Sequence, residues 1–166
     1  MRYNAPMIGI MSDSHDNLNA VRDAVRIFRA AGCDLIIHAG DFVAPFAAKE
    51  MEDAGCLIRA VFGNCDGEKP GLRKALKPFG SIQEAPLVLE EKGRKLMVVH
   101  LNVSVEIPAA SGEYDVVVYG HTHRPEIRKV GRTLVINPGE NGGWVTKKSS
   151  IALYDPANET AEIVFL

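Results

Sequence analysis

The sequence predicts an α/β fold in which a set of parallel strands is extended by antiparallel hairpins, a sandwich rather than a plain three-layer wound sheet. Three observations predict it. In the first half, short apolar runs alternate with stretches of helical periodicity, reading βαβαβα. In the second half the runs come mostly in pairs joined by tight turns. Several runs also break off abruptly at turns carrying Asp, Asn or His, and in open α/β sheets functional groups gather just past such strand ends.

A chain of 166 residues can bury a substantial core, and 46% hydrophobic with 24% charged residues is the balance of a globular protein. We read 1–166 as one domain. The net charge of −2 argues against long nucleic acids and anionic membrane surfaces as partners. No apolar run approaches a membrane span, and a single Arg before a short apolar stretch is too little for a secretory leader. Cys33, Cys56 and Cys65 are odd in number and show no Cys-x-x-Cys spacing, so reduced thiols and a cytoplasmic location are expected.

The first strand is the run Met7, Ile8, Ile10, Met11, ended by Ser12. Asp16 or Asn17 caps a helix whose apolar stripe is Leu18, Val21, Val25 and Phe28, with Gly32 placed to end it. Asp34–His38 is the second strand, and Gly40 lets the chain turn sharply so that Asp41 emerges at the same edge as Asp13. Pro45 starts a second helix reaching about Asp53, closed by Gly55. Cys56–Phe62 is the third strand, ending in Gly63-Asn64-Cys65-Asp66, and a polar helix follows from about Gly71 to Lys77. Pro86–Glu91 and Arg94–His100 form a hairpin through Glu91-Lys92-Gly93. Asn102–Gly112 reads as a loop or a poor helix broken by Pro108. Tyr114–Tyr119 has the composition of a fully buried strand and delivers Gly120-His121-Thr122-His123. Pro125–Val130 and Thr133–Asn137 pair through Gly131, the glycine-rich Pro138–Gly143 follows, and Ile151–Tyr154 with Ala161–Phe165 make the last pair.

The strand ends thus carry Asp13 and His15, Asp41, Asn64, His100, and His121 with His123. Four of the chain's 5 histidines sit at such turns, where random placement would scatter them. Carboxylates, imidazoles and an amide oxygen are the mixed ligands that suit Mn²⁺, Fe²⁺, Zn²⁺ or Ni²⁺. They are too many for one ion and suit two, roughly 3.5–4 Å apart, sharing a carboxylate and clamping a phosphate.

Together, Asp13-x-His15, Gly40-Asp41, Gly63-Asn64-Cys65-Asp66, His100 and Gly120-His121-x-His123 resemble the calcineurin-like metallophosphoesterases. The short length, Asn64-Cys65-Asp66 and Asn137-Pro138-Gly139 resemble their small prokaryotic phosphodiesterase branch, related in fold to the retromer subunit of eukaryotes. The resemblance implies two facing β-sheets sandwiched between helices. It implies that Asp13, His15 and His123 hold a first divalent metal ion, that Asp41 bridges, and that Asn64, His100 and His121 complete the second. Mn²⁺ or Ni²⁺ are the ions it implies. The implied reaction is phosphodiester hydrolysis of a small substrate by in-line attack of a metal-bridging hydroxide on phosphorus, with Asp41, Asn64, His121 and Cys65 at the reacting centre. A homodimer is implied on the same grounds.

The chain departs from the pattern twice. Larger members carry His where this chain has Cys65, and a thiol is a poorer acid for the leaving group, so esters with good leaving groups are expected. The branch usually reads His-Gly-His where this chain has His100-Leu101-Asn102, which bears on substrate preference and on the second ion.

Each residue also has a plainer reading. Asp13 and Asp41 could cap helices, Gly63-Asn64 could be a simple turn, and His100 alone a core histidine. Cys65 reads as a pocket group or as a small buried residue, and His38 as core or as a group orienting a ligand from behind. Arg124, Lys147 and Lys148 read as solvated loop charges rather than the lining of a phosphate site, and Trp144 as a residue packing against a partner subunit rather than stacking on a base. The rival functions are a non-catalytic interaction scaffold, which would be expected to have lost imidazoles, and a phosphomonoesterase or nuclease, which differs in pocket shape.

Overall fold

The structure is a computed structural model and describes residues 6–166; residues 1–5, with the Arg2 on which the leader reading draws, lie outside the described residues. Among the described residues the elements run β1 (Met7–Met11), α1 (Leu18–Ala30), β2 (Cys33–His38), α2 (Pro45–Lys49), β3 (Leu57–Val61) and α3 (Lys69–Leu76). Then follow β4 (Gly80–Gln83), β5 (Leu87–Glu91), β6 (Arg94–Val98), α4 (Glu106–Ser111), β7 (Val116–Val118), β8 (Glu126–Val130), β9 (Thr133–Asn137), β10 (Ser150–Asp155) and β11 (Thr160–Phe165).

Alternation along each strand decides the layers. β1 sends Met7 and Met11 to one side and Ile8 and Ile10 to the other, all buried, as in a strand covered on both faces. One sheet has the order β11-β10-β1-β2-β3-β4, with β1 to β4 parallel and the β10–β11 hairpin antiparallel to β1. The other has the order β5-β6-β7-β9-β8, with β6, β7 and β9 parallel and antiparallel strands at both edges. Ile8, Ile10, Ile37, Leu96, Val116, Val118 and Ile136 fill the space between the sheets. Each such side chain is worth about 1.5–3 kcal/mol of burial. Phe28, Ile36, Met51, Ile58 and Leu72 join the first sheet to α1, α2 and α3, while Val105, Ala109, Val117 and Val135 seat α4 on the second. The result is helix, sheet, sheet, helix.

Register places the chemistry. Met11 pairs with His38, His38 with Ala60, and Val98 with Val118, so the ends of β1, β2 and β3, and those of β6 and β7, come level in their sheets.

The structure corrects the sequence reading in several places. β4, absent from it, is a parallel edge strand whose Ile82 alone is buried, so no apolar run announces it. α4 forms despite Pro108, because the proline sits in the first turn, where its missing N–H has no intrahelical acceptor to lose. α2 is shorter than expected and continues as a 3-10 turn over Glu50–Ala54, which Gly55 ends at φ +66°. The β7 ladder spans only the middle of the Tyr114–Tyr119 run. Neither aspartate caps a helix: Asn17 caps α1 by accepting from the Ala20 N–H, and Ala44 precedes α2.

Candidate metal centre

The turns after β1 and β2 run side by side. Asp13 N–H donates to the Gly40 carbonyl at 2.9 Å, His15 N–H to that of Asp41 at 3.1 Å, and Asp16 N–H to that of Phe42 at 3.1 Å. The backbone reaches this course through strain. Asp13, His15, Asp41, His121 and His123 all have φ between +40° and +67°, a region that non-glycine residues rarely enter. Each such residue costs on the order of 1–3 kcal/mol, and strain of this kind clusters at functional sites.

Both aspartates anchor one carboxylate oxygen and leave the other free. Asp13 Oδ2 accepts from the Ser12 hydroxyl at 2.6 Å and the His121 N–H at 3.0 Å. Its Oδ1 is buried without a hydrogen-bond partner and faces His123 Nε2 at 3.3 Å and His15 Nε2 at 3.7 Å. Asp41 Oδ1 accepts from the Cys65 N–H at 2.8 Å. Its Oδ2 faces His15 Nε2 at 3.7 Å on one side and His100 Nε2 at 3.3 Å on the other. Asp41 therefore stands between two groups, one of Asp13, His15 and His123, the other of Asn64, His100 and His121.

In the second group, Asn64 Oδ1 lies 2.9 Å from both His100 Nε2 and His121 Nδ1. His100 Nδ1–H is committed to the Ala39 carbonyl at 2.7 Å. A carbonyl only accepts, so a neutral His100 would turn a bare Nε2 lone pair onto two oxygens, Asn64 Oδ1 and Asp41 Oδ2. A cation belongs there, either a proton or a metal ion. In the first group, Asp13 Oδ1 and His15 Nε2 are both buried and unpartnered, a costly state that an ion between them relieves. Three triplets, Asp13–His15–His123, His15–Asp41–Cys65 and Asp13–Asp41–His100, bring their ligand atoms within 4.8 Å of one another. The residues present fit divalent metal ions.

Charge follows this geometry. Burial pushes the Asp13 carboxyl up, but the imidazoles of His123 and His15 and the Ser12 hydroxyl outweigh it and hold it far below the usual range. Asp41 is likewise held low against its burial, by His100 and the Cys65 N–H. Asp13 in turn raises His15 and His123, each working against burial. Burial lowers His100, and Asp41 more than reverses it. These shifts favour protons on the imidazoles where ions would bind, so metal binding there competes with protonation.

Residues to which motif spacing gave no role hold the arrangement in place. The buried Asp66 carboxylate accepts the N–H groups of Gly63 at 2.7 Å, Val43 at 2.8 Å and Asp41 at 2.9 Å, stapling the turn after β2 to the one after β3. Gly63 has to be glycine, since a Cβ there would lie 2.1 Å from Asp41 Oδ1. The Asn137 amide donates to the Gly120 carbonyl at 3.1 Å and to Thr122 Oγ1 at 2.9 Å, bracing the turn after β7. Glu140, wholly buried, faces His123 Nδ1 at 3.4 Å. The available signal was a carboxylate or amide inside a glycine-rich turn, where backbone donors need acceptors.

His38 is a core histidine: Nδ1 accepts the Gly40 N–H at 3.2 Å, so Nε2 carries the proton and donates to Ser14 Oγ at 3.0 Å. Burial pushes its pKa down to about 3, and it stacks on Phe42, fixing the turn that delivers Asp41. Cys65 is exposed, which removes the reading as a small buried residue. What burial its thiol has, together with nearby Asp41, pushes its pKa up to about 11. Leu101 lines a cavity of about 330 Å³ with Phe62, Asn64, His100 and Ser104, directly beside the second group. Trp144 is exposed, and its Nε1–H donates to the His15 carbonyl at 2.9 Å. A wider cleft of about 590 Å³ around Arg59 and Lys77 opens near the starts of β3 and β4, away from these residues.

Residues 7–159 match the family model of the calcineurin-like phosphoesterase superfamily domain. The chain is 40% identical over 162 residues to the phosphodiesterase MJ0936 of Methanocaldococcus jannaschii, covering 95% of this chain and 98% of that one. It is 30% identical over 142 residues to the phosphodiesterase YfcE of Escherichia coli, covering 77% and 75% respectively. The solved structure of an archaeal phosphodiesterase superposes with a TM-score of 0.92 at 38% identity, covering 96% of this chain and 99% of the other. Vps29 of Chaetomium thermophilum shares the fold, with a TM-score of 0.71 at 16% identity, covering 98% of this chain and 96% of the other. The chain belongs to the calcineurin-like phosphoesterase superfamily.

Proposed function

We propose that this protein hydrolyses a small phosphodiester with two divalent ions, for which Mn²⁺ or Ni²⁺ suit the donor set, with Fe²⁺ or Zn²⁺ as alternatives. It is a metal-dependent phosphodiesterase of the calcineurin-like family. Asp13, His15 and His123 would hold one ion, Asn64, His100 and His121 the other, and Asp41 both. Such a pair supplies an acidified water near neutral pH and neutralises charge on the phosphoryl oxygens.

The protein's own residues do the rest. Buried Asp13 and Asp41 form an anionic floor, each fixed through its anchored oxygen, so the free oxygens need no reorganisation when ions arrive. Asn64 and His121 are exposed at the mouth, where their amide and imidazole orient the phosphoryl group in line for attack. Cys65, beside Asp41, keeps its thiol proton through the neutral range and is far from the pKa of an efficient general acid. Esters whose leaving groups depart without protonation are therefore preferred. The cavity at Leu101 accepts one arm of the diester.

One observation carries this reading: Asp41 Oδ2 faces imidazoles of both groups while Asp13 Oδ1 and His15 Nε2 lie buried and unpartnered beside it. The test is hydrolysis of bis-p-nitrophenyl phosphate and of the monoester by metal-stripped protein titrated with Mn²⁺. Activity should appear with the metal, favour the diester, and fall to below about one-hundredth in Asp41→Asn. No activity with Mn²⁺, Ni²⁺, Fe²⁺ or Zn²⁺ would sink the reading. The family match over residues 7–159 supports a single domain spanning 1–166. The free thiols of Cys33, Cys56 and Cys65 support a cytoplasmic location. Exposed Val103, Ile107, Trp144 and Val145 support a homodimer, which sedimentation decides. Among the described residues no helix is long and apolar enough to cross a membrane.

A further inference from the structure

His123 lies between two buried carboxylates. Its Nε2 is 3.3 Å from Asp13 Oδ1, on the side of the unpartnered atoms, and its Nδ1 is 3.4 Å from Glu140 Oε1, on the opposite side. Both carboxylate side chains have 0% of their surface exposed. The Glu140 contact is an ion-pair separation just beyond a good N–H···O bond.

Glu140 is not free to choose its place. Its Oε1 accepts the Val145 N–H at 3.0 Å, and its Oε2 accepts the Thr146 N–H at 2.8 Å and the Thr146 hydroxyl at 2.7 Å. The glycine-rich turn that carries it is laddered to the turn after β1, with Asn141 N–H on the Ser12 carbonyl at 3.0 Å and Gly142 N–H on that of Asp13 at 2.9 Å. The carboxylate is thus registered against the same backbone that presents Asp13 and His15. The Val145–Thr146 turn that it clamps also sets Trp144, whose indole N–H holds the His15 carbonyl at 2.9 Å.

We propose that Glu140 is a positioning residue for metal binding: it takes the Nδ1–H of His123 and thereby aims the Nε2 lone pair at Asp13 Oδ1 and His15 Nε2. The chemistry favours it. An imidazole ligates through one nitrogen only when the other carries the proton, and an acceptor-only carboxylate behind that proton fixes both tautomer and ring angle. A staple for the Val145–Thr146 turn alone would need no group facing His123. The inference rests on the two-ion reading of the site.

Zinc titration of metal-stripped protein tests it, together with imidazole ¹⁵N–¹H spectra of the diamagnetic zinc-loaded form. Wild type should bind zinc and show His123 protonated at Nδ1, with slow exchange. Glu140→Gln should weaken zinc binding at the Asp13, His15 and His123 group by about 10–100-fold and lose that protected proton. Thr146→Val, which removes one staple donor but leaves His123 and Glu140 in place, should change neither. Wild-type affinity in Glu140→Gln overturns the inference, and so does an equal loss in Thr146→Val, which marks a loop staple. If Glu140→Gln fails to fold, the wild-type spectrum decides, since a freely exchanging Nδ1 proton contradicts the carboxylate contact. A wild type that binds no zinc removes the two-ion reading and this inference together, and that outcome is seen before any substitution is made.

Discussion

Around Asp13, ligand atoms converge in the buried floor with nothing to satisfy them, whereas around Asn64 two imidazoles close on one amide oxygen at the exposed mouth. The first group contains a buried anion, and a second buried carboxylate, Glu140, backs its His123. The second group consists of neutral ligand types, closes on itself through Asn64 Oδ1, and meets a carboxylate only at the shared Asp41. The difference teaches that two ions held here would not be equivalent. On the two-ion reading, an ion in the first group would fill a place left without hydrogen-bond partners. One in the second would have to open an arrangement already closed and would meet a carboxylate only at Asp41, so the first would bind more tightly.

The largest effect expected follows from removing the first group's charge. Asp13→Asn keeps the shape but loses the anion. A unit charge about 4 Å away at an effective dielectric near 20 is worth about 4 kcal/mol, roughly a thousandfold in affinity. Calorimetric titration with Mn²⁺ should show the tighter event gone, and an unchanged tighter event would remove the distinction between the groups. Gly63→Ala comes next. Its Cβ would sit 2.1 Å from Asp41 Oδ1, so the shared carboxylate must move and both binding events should weaken. Overpacking of this kind also costs about 1–3 kcal/mol of stability, readable as a lower Tm.

A smaller effect is expected from pH. In the metal-free protein, Asp13 and Asp41 raise His15, His123 and His100 above the ordinary imidazole value. That stabilisation is fully present below the unfolded imidazole pKa of about 6.5 and is lost as pH rises through the higher folded values. Asp13 and Asp41, held low, contribute above the unfolded carboxyl pKa of about 3.9 and lose this as pH falls. Stripped protein should be most stable between about pH 4 and 6.5, and the Tm gained by adding Mn²⁺ should widen from about pH 6 to 8. A gain independent of pH would contradict proton release from the ligands. The smallest effect belongs to Cys65→Ser. With p-nitrophenolate as leaving group no acid is needed, so the rate should stay within about twofold of wild type. A large loss would give the thiol a direct part.

Much of this was legible in the chain because parallel strands deliver their ends to one edge. Asp13-x-His15 and Gly40-Asp41 follow apolar runs, and their order alone brings them together once β1 and β2 pair. β4 was not legible, since Ile82 is its single buried residue and its place depends on β3 being there to pair with. α4 was hidden for another reason: whether Pro108 breaks a helix depends on where the helix starts, and it starts two residues earlier, at Glu106. Glu140 was out of reach because its meaning comes from the glycine-rich turn folding back onto the turn after β1. Which carboxylate oxygen is anchored and which is free is likewise a property of the assembled turns, and no residue spacing encodes it.

The most direct measurement is a calorimetric titration of metal-stripped wild type and Asn64→Ala with Mn²⁺, counting binding events and their order. Two events are predicted in wild type. In Asn64→Ala the weaker should fall by about 10–100-fold, as for the loss of one bond to a charged group, while the tighter stays in place. A single event in wild type, or loss of the tighter event in Asn64→Ala, would contradict a centre made of one deficient and one self-closing half.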